Sequence, residues 1–554
     1  MTDTLAIAMA QINPTVGNID ANMELIRSAR QQAATQGADL MVTGELVTSG
    51  YPPEDLVLKE AFQVHIEEAV NAFAEETADG GPAVLLGTPW NLDETLYNSA
   101  LLIDGGEITA ISLKNELPNF GVFDEKRVFE EGPRPTAINF RDVKLGVLIC
   151  EDMWTPTPAH FLKEDGAEIY IVLNGSPFEV DKVGERQKLA GERVWETERP
   201  LLYVNLVGGQ DELVFDGSSF VLDGAGEMKV ETPPWVEGVM TVRLTRGDEH
   251  AWIVEDGPKQ PEKEAFEQVY QAMVLGLRDY VEKSGFPGVV IGMSGGIDSA
   301  LSAAVAVDAL GPDRVHLVMM PSPYTSKDSL DDAASAAEML GVRLDSISIE
   351  PAMIAFDAML ADTFDGATSD TTEENVQARS RGLTLMAISN KFGYMVLSTG
   401  NKSEMSVGYA TLYGDMCGGF SVLKDLYKTV VFAIARWRNE NKPDGALGPD
   451  GPVMPENIIT KAPTAELKPD QTDQDSLPPY EQLDEILGCL IEGDYSIDRI
   501  EEYGHDPELV RGVWRMLDRA EYKRRQAPPG VKISSRSFGR DRRYPITNGF
   551  TRLI

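Results

Sequence analysis

Along the first 245 residues, short apolar runs alternate with amphipathic stretches. LAIAMAQI (residues 5–12) reads as a buried strand, and NMELIRSARQQAATQGA repeats apolar residues at helical spacing, with Asp20 as its expected N-cap. ADLMVTGE and AVLLGTP predict two further strands. YNSALLIDGGEITAISLKNEL predicts a hairpin turning at Asp104, Gly105 and Gly106. VKLGVLIC, EIYIVLNG and LLYVNLVGG predict three more strands, the last two separated by the helix-like ERQKLAGERVWETERP. SSFVLDGAGEM reads as a second hairpin, closed by an Asp-Gly turn. The expected architecture of residues 1–245 is α/β, with two sheets packed face to face and helices outside.

Past residue 245 the pattern loosens. RGDEHAWIVEDGPKQPEKEAFE is polar and charged, and residues 246–264 are the expected linker. Over residues 265–554 a different rhythm begins. The helix EAFEQVYQAMVLGLRDYVEKSG precedes the strand GVVIGMS, the loop GGIDS and the helix ALSAAVAVDALG. The strand RVHLVMMP, the helix DSLDDAASAAEMLG and the strand VRLDSISI follow. This succession predicts a parallel sheet with right-handed crossovers, a doubly wound α/β domain. NKPDGALGPDGPVMPENI and TAELKPDQTDQDSLPPY are expected to be long surface loops.

Composition narrows the function classes. The 554 residues suffice for two or three domains, and 42% hydrophobic with 25% charged residues is ordinary globular composition. A formal net charge of −40 argues against nucleic acid as a partner, because phosphate backbones are gripped by clustered Lys and Arg. No apolar run is long enough to span a bilayer, and MTDTLAIAMAQINPTVG lacks the basic start of a signal peptide. The expectation is a cytoplasmic protein with no membrane partner. Cys150, Cys417 and Cys489 have no CxxC spacing, which points to reduced thiols rather than a zinc site or disulfide framework.

Two constellations carry chemistry. Ser294, Gly295, Gly296, Ile297, Asp298 and Ser299 sit between a strand and a helix. Glycines there let backbone approach a ligand closely, and the helix N-terminus favours phosphate. GxxxxGK[ST] is absent, so this is not a Walker A loop. The motif resembles the pyrophosphate-binding loop of ATP pyrophosphatases, the adenine nucleotide alpha hydrolase-like fold. The resemblance implies that Gly292, Met293 and Ser294 to Ser299 cradle pyrophosphate released from ATP. Asp298 is a candidate ligand for Mg2+, a hard cation. EENVQARSRGLTLMAISNKFGYMVLSTGNKSEMSVGYATLYGDMCGGFSVLKDLYKT, KAPTAELKPDQTDQDSLPPY and YKRRQAPPGVKISSRSFGRDRRYP resemble, in this order, the blocks of NAD synthetases. That likeness implies that Asn375, Glu404 and Lys523 contact deamido-NAD, that Glu404 is a second Mg2+ ligand and that Thr399 touches ATP. Arg379 and Lys402 would meet phosphate or carboxylate charge, and the TAELKPDQTDQDSLPPY loop would fold over the ATP site.

In the first domain Glu45, Lys114 and Cys150 each end a predicted strand, where three groups can converge on one rim of a sheet. A thiol ordinarily ionises near pH 8.5, so a base is needed to make thiolate near neutrality. Glu45 can take the proton, and Lys114 can stabilise the oxyanion formed when the thiolate attacks an amide. The trio resembles the Glu-Lys-Cys site of the nitrilase (carbon–nitrogen hydrolase) family, whose domain is an αββα sandwich. With glutamine as substrate, the likeness implies that Phe120, Ser176 and Lys182 line its pocket, with Glu151 beside the nucleophile. Cys417 and Cys489 are expected to be structural.

The two resemblances together imply an enzyme that frees ammonia from glutamine and uses it with ATP and Mg2+ to amidate deamido-NAD. Ammonia in water is mostly protonated and unreactive, so an internal path between the two sites is expected. Two other classes fit these residues less well. Amidating ligases of the asparagine or GMP synthetase type use an N-terminal Cys or a Cys-His-Glu triad. Here residue 2 is Thr, and no His pairs with Cys150 by a local motif. A non-catalytic nucleotide-binding or assembly protein would not be expected to keep the trio and the SGGIDS loop intact. A homo-oligomer is expected by resemblance.

Overall fold

The apolar run near the N-terminus folds as strand Thr4–Gln11, and its alternating side chains divide two cores. The computed structural model describes residues 3–247, 251–261, 263–468 and 471–550. It separates into two units, with the division between Lys263 and Glu264. In the first unit a seven-stranded sheet runs in the order Trp252–Val254, Gly238–Arg246, Thr4–Gln11, Leu40–Val42, Ala83–Leu92, Thr95–Asp104, Glu107–Leu113. A six-stranded sheet runs Met228–Glu231, Phe220–Leu222, Leu201–Asn205, Ile169–Asn174, Val143–Ile149, Ile138–Phe140. Leu5, Ile7 and Met9 join Leu145, Val147, Ile171 and Val204 in the core between the sheets.

The alternate residues face helices. Ala8 and Ala10 pack with Met23 and Ile26 of helix Ile19–Thr35 and with Ile66, Val70 and Phe73 of helix Glu60–Glu76. On the other sheet Leu148, Tyr170, Val172 and Tyr203 pack with Ala159, Leu162, Ala190 and Val194 of helices Pro156–Glu164 and Lys182–Thr197. The result is an αββα sandwich. Two local expectations are corrected. The first helix is capped by Asn18, whose side chain accepts from Ala21 N, while Asp20 lies inside the first turn and bonds His65. Within the 246–264 segment, Trp252–Val254 pairs antiparallel with Gly238–Arg246 as an edge strand, and residues 248–250 and 262 lie outside the described residues.

In the second unit five parallel strands run in the order Arg343–Ser346, Val315–Met319, Val289–Gly292, Met395–Ser398, Phe420–Ser421. Read by chain order this is 3-2-1-4-5. The winding reverses between Val289–Gly292 and Met395–Ser398, the position at which doubly wound sheets open a ligand crevice. Helices Tyr480–Ile491 and Pro507–Arg519 pack with the short helix Lys402–Val407 through Leu483, Leu487, Val513, Leu517 and Met405. Among the described residues no helix is long and apolar enough to cross a membrane.

The loop at residues 441–455, expected at the surface, wraps a buried cation. Arg438 donates to Asp308 (Nε–Oδ2 2.6 Å) and to the carbonyls of Asn441, Pro449 and Gly451. Tyr270 Oη donates to the same Asp308 oxygen at 2.6 Å. Arg438 and Asp308 are both fully buried, so removing one partner strands the other. Asp308→Ala is therefore expected to destabilise the second unit by about 3–5 kcal/mol. Thermal unfolding checks this, and an unchanged transition would show that the pair carries no net stability.

Candidate active sites

In the first unit the chemistry gathers where strands of the two sheets end. Glu45 follows strand Leu40–Val42, Lys114 follows Glu107–Leu113, and Cys150 follows Val143–Ile149. Lys114 Nζ donates to Glu45 Oε1 at 2.7 Å and to Glu125 Oε2 at 2.8 Å, and all three side chains are withdrawn from water. Glu45 also accepts from Asn98 Nδ2 and from Gly175 N, both at 2.8 Å, so its carboxylate is held by both sheets. Tyr51 Oη donates to Glu125 at 2.9 Å. Cys150 opens the turn Cys150–Met153 at φ +47°, a left-handed conformation uncommon outside glycine.

Electrostatics fix the protonation states. Burial pulls the Lys114 pKa down, but the carboxylates of Glu125 and Glu45 outweigh it and hold the ammonium charged well above the ordinary lysine range. Burial, and then the Glu45 charge, push the Cys150 thiol well above its ordinary range, with Lys114 pulling the other way. At rest the Cys150 side chain is a thiol, with the Glu45 carboxylate close enough to oppose its ionisation.

The proposed glutamine-pocket residues stand around this centre unequally. Ser176 is buried, and its Oγ accepts from Arg186 Nε at 3.1 Å. Lys182 Nζ lies 5.7 Å from the Phe123 ring centroid and 6.0 Å from that of Trp154, with Glu179 at 3.3 Å. Phe120 is 60% exposed and packs edge-on against Phe123, ring centroids 5.6 Å apart. Burial raises the Glu151 carboxyl pKa, with Lys114 opposing. Glu125, Asn98, Tyr51 and Arg186 escaped the sequence reading. Glu125 lies in the same loop as Phe120, but nothing in FDEKRVF separates it from the charged residues around it.

In the second unit a cavity of ≈ 570 Å3 opens at the switch point. Gly292, Met293, Ser294, Gly296, Ile297, Asp298, Ser299, Asn375, Thr399, Glu404 and Lys523 all line it. Gly295 shapes it from behind: at φ +80°, a Cβ there would stand 2.2 Å from the Ser329 carbonyl oxygen. Ser299 Oγ donates to Gly296 O at 2.9 Å, and Gly296 N donates to Ser294 Oγ at 3.2 Å, closing the loop over the start of helix Ile297–Leu310.

Asp298 and Glu404 meet through a cation the sequence reading missed. Lys428 Nζ pairs with Asp298 and lies 2.9 Å from Glu404 Oε1, while Asn401 Nδ2 donates to Asp298 Oδ1 at 2.9 Å. Burial pushes the Glu404 carboxyl up to about 7, with Lys428 pulling down and Asp298 adding to the rise. Lys523 Nζ donates to the carbonyls of Gly408 and Ala410 at 2.8 and 2.7 Å, and burial lowers its pKa. Asn375 Oδ1 accepts from Thr411 at 3.0 Å.

Neither Lys402 nor Arg379 lines the cavity. Lys402 is fully buried and bonds Asp425 (2.8 Å), Glu492 (2.6 Å) and Ser534 (2.7 Å), so the carboxylates it meets are the protein's own. Arg379 is exposed and donates to the Leu412 carbonyl, whereas Arg381, two residues on, lines the cavity. Residues two apart on a helix point about 200° apart, so the two arginines cannot share a face. Part of the TAELKPDQTDQDSLPPY loop does border the cavity. Glu466 accepts from Ser329 Oγ at 2.9 Å and Ser326 N at 3.2 Å.

Two outcomes test this geometry. Alkylation of Cys150 by iodoacetamide should keep accelerating as pH rises beyond the ordinary thiol range, because its pKa is raised. Glu45→Gln should move the profile to lower pH, by removing a charge that opposes ionisation. A plateau at ordinary thiol pH in both proteins would overturn the assignment. Gly295→Ala should weaken adenine-nucleotide binding about tenfold or more, since left-handed strain of about 1–3 kcal/mol must be relieved by moving the loop. Titration calorimetry reads it.

Comparison with known proteins bears on both sites. The carbon-nitrogen hydrolase family model matches residues 6–254, and the NAD synthase model matches residues 269–527. A protein of Rhodobacter capsulatus named glutamine-dependent NAD(+) synthetase is 49% identical, the match covering 99% of each chain. A Thermotoga maritima protein of the same name is 43% identical over 99% of each. The solved glutamine-dependent NAD+ synthetase of Acinetobacter baumannii, in complex with ADP, superimposes with a TM-score of 0.79 at 43% identity, covering 99% of both chains. The chain belongs to the glutamine-dependent NAD(+) synthetase family.

Proposed function

We propose that this enzyme hydrolyses glutamine at Cys150 and uses the released ammonia to convert deamido-NAD and ATP into NAD+, AMP and pyrophosphate. The observation that carries the reading is the buried Lys114 ammonium held between Glu45 and Glu125 beside a Cys in a left-handed turn, on the same chain as a glycine-cradled nucleotide cavity. Glu45 removes the Cys150 proton, and the thiolate forms a bond to the glutamine side-chain carbonyl carbon. Lys114 donates to the resulting oxyanion. The carbon–nitrogen bond breaks as Glu45 returns the proton to the leaving nitrogen, giving ammonia and a thioester. Water, deprotonated by Glu45, then releases glutamate and restores the thiol. Phe120, Ser176 and Lys182 hold the amino-acid end of the substrate, and Lys182 supplies a cation for its carboxylate.

In the second unit the backbone from Gly292 to Ser299 holds the pyrophosphate portion of ATP, and Thr399 contacts ATP. Asn375, Glu404 and Lys523 contact deamido-NAD, whose nicotinate carboxylate attacks the α-phosphorus. Pyrophosphate leaves, ammonia adds to the acyl-adenylate, and AMP departs to leave the amide. The two carboxylates of Asp298 and Glu404, drawn to one ammonium, fit a hard cation that takes few protein oxygens and completes its shell with phosphate. Mg2+ bound there would neutralise phosphate charge. Ammonia passes between the two centres without release to bulk water, where protonation would make it unreactive.

Cys150→Ala is expected to abolish glutamine-driven NAD+ formation while sparing formation from added ammonium. Asp298→Asn should lose both and keep glutamine hydrolysis. Chromatographic measurement of NAD+ and glutamate decides, and a Cys150→Ala enzyme that still uses glutamine would remove the thiol from the mechanism. With 15N-amide glutamine and excess unlabelled ammonium, protected transfer predicts product enriched in 15N above the bulk ammonium pool, read by mass spectrometry.

A further inference from the structure

Two residues beyond the nucleophile, Asp152 is buried and makes three hydrogen bonds with backbone. Its Oδ2 accepts from Ile149 N at 3.0 Å, the residue just before Cys150. Its Oδ1 accepts from Asn115 N at 3.0 Å and Glu116 N at 2.7 Å, the two residues just after Lys114. One carboxylate thus pins the turn that presents the thiol to the segment that presents the ammonium. These segments belong to different sheets: Lys114 follows the edge strand of the seven-stranded sheet, and Cys150 follows a strand of the six-stranded one.

The arrangement answers two demands. Cys150 sits at φ +47°, a conformation that persists only where surrounding bonds over-determine it. Lys114 must also stand at a fixed separation from the thiol, because its charge opposes the burial and the Glu45 charge that keep the thiol protonated. Backbone bonds fix the Lys114 segment further. Lys114 N donates to Asn98 O at 2.9 Å and Gly132 N donates to Lys114 O at 2.7 Å. Neither of these bonds reaches the Cys150 turn, and Asp152 does.

We propose that Asp152 is a positioning residue for glutamine hydrolysis, a carboxylate clamp that sets the Cys150 thiol against the Lys114 ammonium. The clamp rests on the assignment of Cys150 as nucleophile. An amide at position 152 keeps the shape, but one of its two terminal atoms becomes a donor facing an N–H donor, so one side of the clamp must open.

The test uses the full chain carrying Asp152→Asn, with Cys150→Ala in parallel. A displacement of the order of 1 Å costs about 100-fold in rate, so glutaminase kcat should fall by about that factor. KM for glutamine should stay within about twofold if the pocket side chains keep their places, the signature of an interaction used only beyond the ground state. NAD+ formation from added ammonium should be unchanged, which excludes general misfolding. The pH profile of Cys150 alkylation should move upward, because Lys114 is among the leading charges acting on the thiol and Asp152, whose lost charge acts the other way, is not. Asp152→Glu, which keeps both acceptor oxygens, should recover part of kcat and part of the shift. An Asn variant with kcat and alkylation profile both near wild type would overturn the clamp. So would one losing kcat with no shift in the profile, or one losing ammonium-driven synthesis as well. If the Asn variant does not accumulate as folded protein, Asp152→Ser, whose single short hydroxyl cannot bridge both segments, is read in its place, and wild-type values for both quantities overturn the proposal. Glutamine hydrolysis surviving in Cys150→Ala would instead defeat the underlying assignment, whatever position 152 does.

Discussion

A lysine ammonium buried between two carboxylates is the constraint around which the first unit is built. Taken alone, none of Lys114, Glu45 and Glu125 tolerates so little water, since each charge forfeits several kcal/mol of hydration. Together the two carboxylates keep the ammonium charged against burial, burial raises the Glu125 carboxyl above its ordinary range, and the surroundings complete the shell through Asn98, Gly175 and Tyr51. Such a cluster is sensitive to the loss of any member. Glu45 and Lys114 follow strands of the seven-stranded sheet and Glu125 lies in the turn Glu125–Arg127, while Gly175, which donates to Glu45, follows a strand of the six-stranded sheet, so the shell around the charges is complete only when the sandwich closes. The αββα packing positions these charges, and each sheet supplies partners that the other lacks.

The second unit solves a related problem with backbone. Where the strand order reverses, two loops leave neighbouring strands in opposite directions and leave a crevice between them. The SGGIDS turn brings glycine backbone and a helix N-terminus to that crevice, an arrangement that suits phosphate. Opposite it, Asn401 and Glu404 begin the short helix Lys402–Val407. Lys402 anchors that helix to Asp425 and to Ser534 of the C-terminal segment, which explains why a charged residue in an apparent binding motif lies away from the cavity. Lys428 couples the two sides by reaching both Asp298 and Glu404.

Strand periodicity was legible because burial on both faces writes long apolar runs, and the SGGIDS loop was legible because glycine, serine and aspartate concentrate there. Glu45, Lys114 and Cys150 each close an apolar run, and the resemblance to the nitrilase-family site is what joined them. Glu125, Asn98, Lys428 and Asp152 were not legible, since each is one polar residue in a polar stretch and gains meaning only when distant backbone arrives. The linker reading failed at Trp252–Val254, where three residues suffice for an edge strand but not for a recognisable pattern. The 441–455 loop looked exposed because its Gly, Pro and Asp composition is that of surface turns. Its carbonyls are nonetheless spent on Arg438, and composition is silent about which cation a loop will wrap.

The two centres place opposite demands on a single proton balance. Glutamine hydrolysis needs a group that takes a proton from a buried thiol and gives it to a leaving nitrogen, which a carboxylate shielded from water does well. Amidation needs ammonia that has not picked up a second proton, and bulk water near neutrality supplies mostly ammonium. Placing both chemistries on one chain relieves the conflict only if the nitrogen released at the first centre stays neutral until it meets the acyl-adenylate.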